Sequence, residues 1–316
     1  MSVALVFPGQ GSQAIGMGKA LADAFAPARE VFDEVDAALG EKLTAVMWEG
    51  PAEALTLTAN AQPALMAVSI AALRAMEAEA GIDVKRHVAF VAGHSLGEYS
   101  ALAAAGALSL SATARLLRIR GRAMQDAVPV GVGAMAALLG LEFDEAAAVA
   151  AEAAQGDVCQ AANDNGAGQV VLSGNRVAVE RAVEIAKAKG ARRAVMLQVS
   201  APFHCALMQP AADAMARALA DVAVKEPSVP LVANVLARPV IAPEEIVSSL
   251  ISQVTATVRW RESVLYMATQ GTTTFLEVGV GKVLSGLIKR IAEGAAAIPV
   301  GTPADMAAVK AGPGAT

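Results

Sequence analysis

Residues 88–92, Val-Ala-Phe-Val-Ala, are an uncharged apolar run that stops at Gly93-His94-Ser95-Leu96-Gly97. Glu98 and an alanine-rich stretch at 99–108 follow. The apolar run predicts a buried strand, and the stretch after it predicts a helix. Between them stands G-x-S-x-G, a pattern that carries meaning only in this strand–turn–helix setting. Its two glycines keep a tight turn free of bulk, so the Ser95 hydroxyl projects from the apex. It then lies at a helix N-terminus, where peptide dipoles favour developing negative charge. Ser95 has two readings: a nucleophile, or a turn serine that caps the helix. The strand before it and the helix after it favour the nucleophile.

A chain of 316 residues, 55% hydrophobic and 17% charged, has ample apolar side chain for one large domain, or a large one with a smaller insert. The apolar content leans on alanine and aliphatic residues, which favours helices over an all-β fold. A mean hydropathy of +0.48 raises the question of a membrane span. Two runs, 54–73 and 194–212, carry no acid, lysine or arginine. Asn60, Gln62 and Pro63 interrupt the first, and Gln198, Pro202, His204 and Pro210 the second, so neither predicts a bilayer helix. No basic stretch precedes the first apolar residues, and no secretory signal is expected. Cys159 and Cys205 build no disulfide framework, which fits a reducing cytoplasm. The net charge of −5 argues against nucleic acid as a partner.

Strand and helix signals alternate along the chain. Residues 3–7 read as a strand that enters the loop Pro8-Gly9-Gln10-Gly11-Ser12-Gln13, with helical residues up to Phe25. A helix is expected at 64–79, after Gln62-Pro63, then the strand at 88–92 and helices at 99–105 and 111–125. This spacing predicts a mostly parallel sheet covered on both faces. The Gly9/Gly11 loop lacks the rest of a dinucleotide fingerprint and the Gly-Lys-Ser/Thr ending of a phosphate loop. After Pro129 the rhythm changes to strand 133–141, helix 143–155, strand 158–163, strand 169–173, helix 178–189 and strand 193–199. That β-α-β-β-α-β order is ferredoxin-like. The expected division is a discontinuous large domain at 1–129 and 198–303, a small subdomain at 130–197, and a flexible tail at 304–316. The large domain resumes with a helix at 207–220, a strand at 229–234, a helix at 243–251, a strand at 275–278 and a helix at 283–291.

A nucleophilic serine needs a base, and the chain has three histidines. His94 lies inside the turn and is expected to point away from Ser95. His87 precedes the strand, at the end opposite the elbow. His204 remains, in Ser200-Ala201-Pro202-Phe203-His204, and by elimination is the candidate general base. No acid stands near it in sequence, and a carbonyl oxygen can instead accept its Nδ1 proton. Arg120 has two readings. It could be one more charge on a solvated helix with Arg115, Arg118 and Arg122. Alternatively, with Gly121 permitting close packing, it could be a guanidinium that selects a substrate carboxylate.

Taken in order, these motifs resemble the malonyl-CoA:acyl carrier protein transacylase family of bacterial type II fatty-acid synthesis. The resemblance runs from Val6 to about Ile291. It includes F-P-G-Q-G-S-Q at 7–13, Q-P-A-L at 62–65, G-H-S-L-G-E at 93–98 and R-G at 120–121. It continues through G-A-M-A-A at 133–137, Q-V-V-L-S-G at 169–174, S-A-P-F-H-C-A-L-M at 200–208 and E-V-G-V-G-K-V-L at 277–284. Val280 departs from the family, which usually has proline between these last two glycines; one turn is expected to loosen.

The resemblance implies an α/β fold in which a hydrolase-like parallel-sheet domain carries a ferredoxin-like insert. It makes Ser95 the nucleophile and His204 the base, with the main-chain carbonyl of Gln253 orienting His204. The backbone N–H groups of Gln10 and Leu96 become the oxyanion hole, Arg120 the malonyl carboxylate clamp and Phe203 the selectivity residue. Malonyl-CoA and an acidic acyl carrier protein are the implied partners, with no metal, no further cofactor and no membrane. Basic residues for docking the carrier are available at Lys187, Lys189, Arg192, Arg193, Lys289 and Arg290. The alternatives are a homologous transferase serving malonate decarboxylase or a polyketide synthase, a serine thioesterase that has no need of Arg120, or a non-catalytic carrier-docking protein.

Overall fold

Strand β1 (Ser2–Phe7) runs parallel to β2 (Val88–Gly93), and Phe7 lies opposite Gly93 in the register. The C-terminal ends of the two strands therefore sit side by side, which brings the loop after Phe7 against the turn after Gly93. The computed structural model describes residues 2–310. The other strands are β3 (Gly133–Leu139), β4 (Cys159–Asp164), β5 (Gln169–Asn175), β6 (Arg193–Met196), β7 (Leu231–Val232), β8 (Pro239–Val240), β9 (Thr272–Val278) and β10 (Ala296–Val300). They form a six-stranded sheet in the order β10-β9-β1-β2-β7-β8 and a four-stranded sheet in the order β4-β5-β3-β6. The large sheet is parallel apart from the β7–β8 pair, and the small one is antiparallel.

Alternation along β1 accounts for the layers. Leu5 and Phe7 enter one core with the helices Thr58–Ala80 and Leu110–Asp126, while Ala4 and Val6 enter another with Trp260, Val264, Leu287 and Ile288. Both faces of the large sheet are thus covered, as the strand–helix alternation predicts. The small sheet divides its faces in the same way. Ala134, Ala136 and Leu138 pack under the helices Phe143–Ala154 and Arg176–Ala188, whereas Met135 and Val171 turn to the opposite face beside Phe203. The small sheet's strand order is that of a ferredoxin-like unit. It joins the rest of the molecule through a bridge between Asn163 and Val258 and an ion pair of 2.8 Å between Arg261 and Asp164.

The structure corrects several expected bounds. The helix expected at 64–79 begins six residues earlier, and Pro63 lies inside it, as Thr58–Ala80. The intrahelical bond lost at Pro63 is outweighed by tertiary packing, since residues 61–73 are all buried. The strand expected at 193–199 ends at Met196, and the chain beyond it becomes a wall of the cleft described below. The tail expected at 304–316 begins in regular structure. Pro303–Lys310 form a helix with Met306 buried, and Asp305 accepts from the N–H groups of Gly301 and Thr302. Residues 311–316 lie outside the described residues. Among the described residues no helix is long and apolar enough to cross a membrane.

Candidate active site

The turn after β2 is built so that only glycine fits at either end. A Cβ on Gly93 would lie 2.0 Å from the Gly97 carbonyl carbon, and one on Gly97 would lie 2.2 Å from the Phe7 carbonyl oxygen. Ser95 sits between them at φ 53°, in the left-handed region that L-residues seldom adopt. Neighbouring elements hold it there. His94 donates its N–H to the Phe7 carbonyl at 3.0 Å, and Ser95 donates its N–H to Asn234 Oδ1 at 2.8 Å. Asn234 Nδ2 in turn donates to the Gly93 carbonyl at 2.7 Å. Asn234 carries no sequence signal for this role, because its position follows from β7 pairing beside β2.

His204 is the second left-handed residue at the site, with φ 60°, and it is buried. Its Nε2 lies 2.8 Å from Ser95 Oγ, and its Nδ1 lies 2.8 Å from the main-chain oxygen of Gln253. A carbonyl can only accept, so Nδ1 carries the proton and the Nε2 lone pair faces the serine. Burial pushes the imidazole down to about 3, with the Arg120 charge acting in the same direction and the bond to Gln253 against it. The ring is therefore neutral and free to accept a proton. The other two histidines lie elsewhere. His94 bonds Asn165 Oδ1 through Nε2 at 3.0 Å, and exposed His87 accepts at Nδ1 from the Asp83 N–H at 3.0 Å.

Arg120 is 1% exposed, although its helix mates Arg115 and Arg122 are exposed. Arg118 is tied to Glu41 and Asn60. The local reason for the burial of Arg120 is Gly121, where a Cβ would come within 2.5 Å of the Thr58 carbonyl; this crossing brings the two helices together. The guanidinium donates from Nη1 to Gln62 Oε1 at 2.8 Å and from Nη2 to Gln253 Oε1 at 2.7 Å. Nη2 also lies 3.2 Å from Ser95 Oγ, and the Tyr99 ring sits 5.6 Å from Cζ. No carboxylate forms an ion pair with Arg120 among the described residues. A buried cation held by neutral amides has its charge available for an incoming anion.

These groups open onto a cleft of about 390 Å³ between the large and small sheets, walled by Met135, Asn163, Asn165, Gln198, Phe203 and Leu284. The Gly9-Gln10-Gly11 loop forms part of its rim. Among the described residues the N–H groups of Gln10 and Leu96 donate to no protein acceptor, so both remain available to a bound oxygen. The six basic candidates fare unequally. Lys187 is paired with Glu184 at 2.7 Å and Lys189 with Glu152 at 2.6 Å, which reduces their free charge. Arg192, Arg193 and Lys289 are exposed. Arg290 reaches Gln169, a cleft residue, at 3.4 Å. Val280 lies between Gly279 and Gly281, both at positive φ, and the Gly279 N–H donates to the Val300 carbonyl at 3.0 Å.

Fold and site together define an acyl-transfer enzyme. The chain belongs to the acyl transferase domain family, whose pattern it matches over residues 4–302. It is 46% identical over 302 residues to the malonyl CoA-acyl carrier protein transacylase of Bacillus subtilis strain 168, covering 95% of this chain and 94% of that protein. It is 46% identical over 305 residues to the protein of that name from Escherichia coli strain K12, covering 96% and 97% of the two chains. Among solved structures, the acyl-carrier-protein-S-malonyltransferase of Bartonella henselae matches with a TM-score of 0.95 at 58% identity over 98% of both chains. A malonyl-transacylase solved in complex with a type II PKS acyl-carrier protein matches with a TM-score of 0.93 at 42% identity, covering 97% of this chain and 98% of that one.

Proposed function

We propose that this enzyme moves a malonyl group from malonyl-CoA to the phosphopantetheine thiol of acyl carrier protein, for fatty-acid synthesis in the cytoplasm. The observation that carries the reading is Arg120: a buried guanidinium, unpaired with any carboxylate among the described residues, 3.2 Å from the candidate nucleophile. An acyl group ending in a carboxylate fits that cation, and malonyl is such a group.

In the first half-reaction Ser95 Oγ attacks the thioester carbon and gives its proton to His204 Nε2. The Gln10 and Leu96 N–H groups receive the tetrahedral oxyanion. Collapse breaks the carbon–sulfur bond, and the departing coenzyme A thiolate takes the proton back from Nε2. A malonyl ester on Ser95 remains. In the second half-reaction the carrier thiol yields its proton to His204 and attacks the ester, and Ser95 leaves with that proton. Arg120 holds the malonyl carboxylate throughout, Gln253 orients His204 through its main-chain oxygen, and Phe203 limits bulk at the α-carbon. No metal or further cofactor enters these steps. The exposed cations Arg192, Arg193, Lys289 and Arg290, with the acid-paired Lys187 and Lys189, are the candidates for meeting an acidic carrier.

Intact-mass spectrometry tests the reading. Mixing with malonyl-CoA is expected to add one malonyl group, and adding carrier protein is expected to remove it to the carrier. An adduct that water discharges as fast as the carrier would identify a thioesterase instead. The His204 assignment has its own test. A ring pushed down to about 3 stays neutral where an ordinary histidine, near 6.5, would gain a proton. Protonation favours the unfolded chain between those two values, so this group removes stability as pH falls below 6.5. Nitrogen chemical shifts of the His204 ring are expected to stay those of the Nδ1–H tautomer from pH 8 down to about 5. A midpoint between 6 and 7 would contradict a buried neutral base.

A further inference from the structure

Glu98 follows the elbow directly, in the first turn of the Gly97–Ala104 helix, and is completely buried. Its Oε2 accepts from Gln253 Nε2 at 2.7 Å and from the Asn234 N–H at 3.2 Å, and its Oε1 has no partner among the described residues. Gln253 is also fully buried, and three parts of it face three different parts of the site. The main-chain oxygen holds His204, Oε1 holds Arg120, and Nε2 faces Glu98 together with the Ser95 carbonyl at 3.0 Å and Asn234 Oδ1 at 3.3 Å.

A carboxamide can rotate by half a turn and exchange its donor and acceptor ends at almost no steric cost. What prevents this in Gln253 is the character of its neighbours. Arg120 can only donate, so it requires the amide oxygen. The opposite side presents oxygens, of which the Glu98 carboxylate is the nearest. A flipped amide would set its oxygen against those oxygens and its NH₂ against the guanidinium. Burial drives the Glu98 carboxyl up to about 7, while the bonds from Gln253 and Asn234 and the Arg120 charge draw it back toward ionisation. Arg120 and Glu98 are thus a buried cation and acid that never touch, joined by one amide.

We propose that Glu98 is a positioning residue for acyl-group selection: it fixes the Gln253 amide with its oxygen toward Arg120, and so sets the guanidinium that receives the substrate carboxylate. The proposal rests on the reading of Arg120 as the carboxylate clamp. It explains why an acid follows the elbow in a site where no acid touches the base: its contact is with Gln253 and, through Gln253, with Arg120.

The experiment compares kcat/KM for malonyl-CoA and acetyl-CoA in the wild-type enzyme, Glu98→Leu, Glu98→Gln and Gln253→Met, with thermal unfolding to verify that each is folded. Glu98→Leu removes the nearest acceptor and leaves the amide only the longer contacts to the Ser95 carbonyl and Asn234 Oδ1; the malonyl-over-acetyl preference is expected to fall about ten-fold or more. Glu98→Gln can still turn an oxygen toward Gln253 and Asn234, and is expected to keep the preference within about three-fold of wild type. Gln253→Met leaves the main-chain oxygen on His204 but removes the amide, and its preference is expected to fall as in Glu98→Leu. Where Glu98→Leu does not fold, the contrast between Glu98→Gln and Gln253→Met decides. Equal losses for both thioesters in every variant would make Glu98 a packing residue and overturn the proposal. A wild-type preference that survives both Glu98→Leu and Gln253→Met would overturn it too. No preference in the wild-type enzyme would overturn the clamp reading itself.

Discussion

Ser95→Ala is expected to gain no malonyl mass, and His204→Ala to slow both half-reactions by about two to four orders of magnitude, the scale of a lost general base. The two effects differ in kind. Without Oγ no ester can form, so the route through an acyl-enzyme is closed. Without the imidazole, Oγ remains but has no acceptor for its proton at 2.8 Å, and the attacking hydroxyl is a weak nucleophile. Ser95→Ala leaves the main-chain bond from the Ser95 N–H to Asn234 in place and is expected to unfold near the wild-type temperature. His204→Ala removes a buried ring and its bond to Gln253, so its thermal unfolding is measured beside its rates to separate lost catalysis from lost stability. Stopped-flow release of coenzyme A measures the first half-reaction, and discharge of preformed malonyl-enzyme to the carrier measures the second. A loss confined to one of them would show that the two steps use different bases. Full adduct formation in Ser95→Ala would move the nucleophile elsewhere.

How much of this site is legible in the sequence depends on the distance over which each relation acts. The elbow is local: strand, glycine, serine, glycine and helix occupy ten consecutive residues, and the collisions that bar any other residue at 93 and 97 arise from the turn itself and from the adjoining end of β1. His204 is within reach by elimination because the chain has three histidines. The supports are another matter. Gln62 and Arg120 are 58 residues apart, Gln253 and His204 are 49, and Asn234 and Ser95 are 139. An amide gives no periodic signal of its own, and its role exists only once the helices have packed. The resemblance supplied Gln253 through its main chain; nothing in the sequence pointed to the side chain that also holds Arg120.

The fold shows the same division. The β-α-β-β-α-β stretch is readable because each element has its own period and turn, and the small sheet's strand order agrees with it. Strand β10 is hidden because Pro299 interrupts its apolar run. The structure accommodates that proline because β10 is the edge of the sheet, where one missing donor breaks no inner ladder. The Ala26–Leu39 helix does carry signals, Pro27 in its first turn and Gly40 in the left-handed conformation just past its end. Its buried positions Val31, Phe32 and Val35 follow helical spacing. The Trp260–Thr269 helix is harder to read. Its apolar face is short, with Trp260, Val264 and Met267 as the buried anchors, and its first turn is charged.

Arg120→Ala is expected to lower kcat/KM for malonyl-CoA by about ten- to a hundred-fold or more, with a much smaller loss for acetyl-CoA. A malonyl thioester ends in a carboxylate and acetyl in a methyl group. Burying that carboxylate in the cleft is costly unless a cation meets it. A charge-assisted bond of this type contributes about 1.5–3 kcal/mol, which sets the size of the effect. The guanidinium is well placed to form it, because Gln62 and Gln253 hold its two Nη atoms at 2.8 and 2.7 Å without neutralising it. Arg120→Lys retains the charge but loses the planar fork, so one amide is left without its donor and rescue is expected to be partial. The same substitutions bear on the base. Arg120 is the second-largest cause holding His204 down, after burial, so removing it lets the imidazole rise from about 3 toward its ordinary value. Arg120→Ala is therefore expected to lose activity toward acetyl-CoA at a higher pH than wild type does as the solution is acidified. Measuring kcat/KM for both thioesters in the three proteins at pH 8 and at pH 5 separates the two roles. A selective malonyl loss at pH 8 identifies the clamp, and an added loss at pH 5 shared by both thioesters identifies the effect on His204. Equal losses for the two thioesters at pH 8 would mean that Arg120 supports the fold or the coenzyme and does not choose the acyl group.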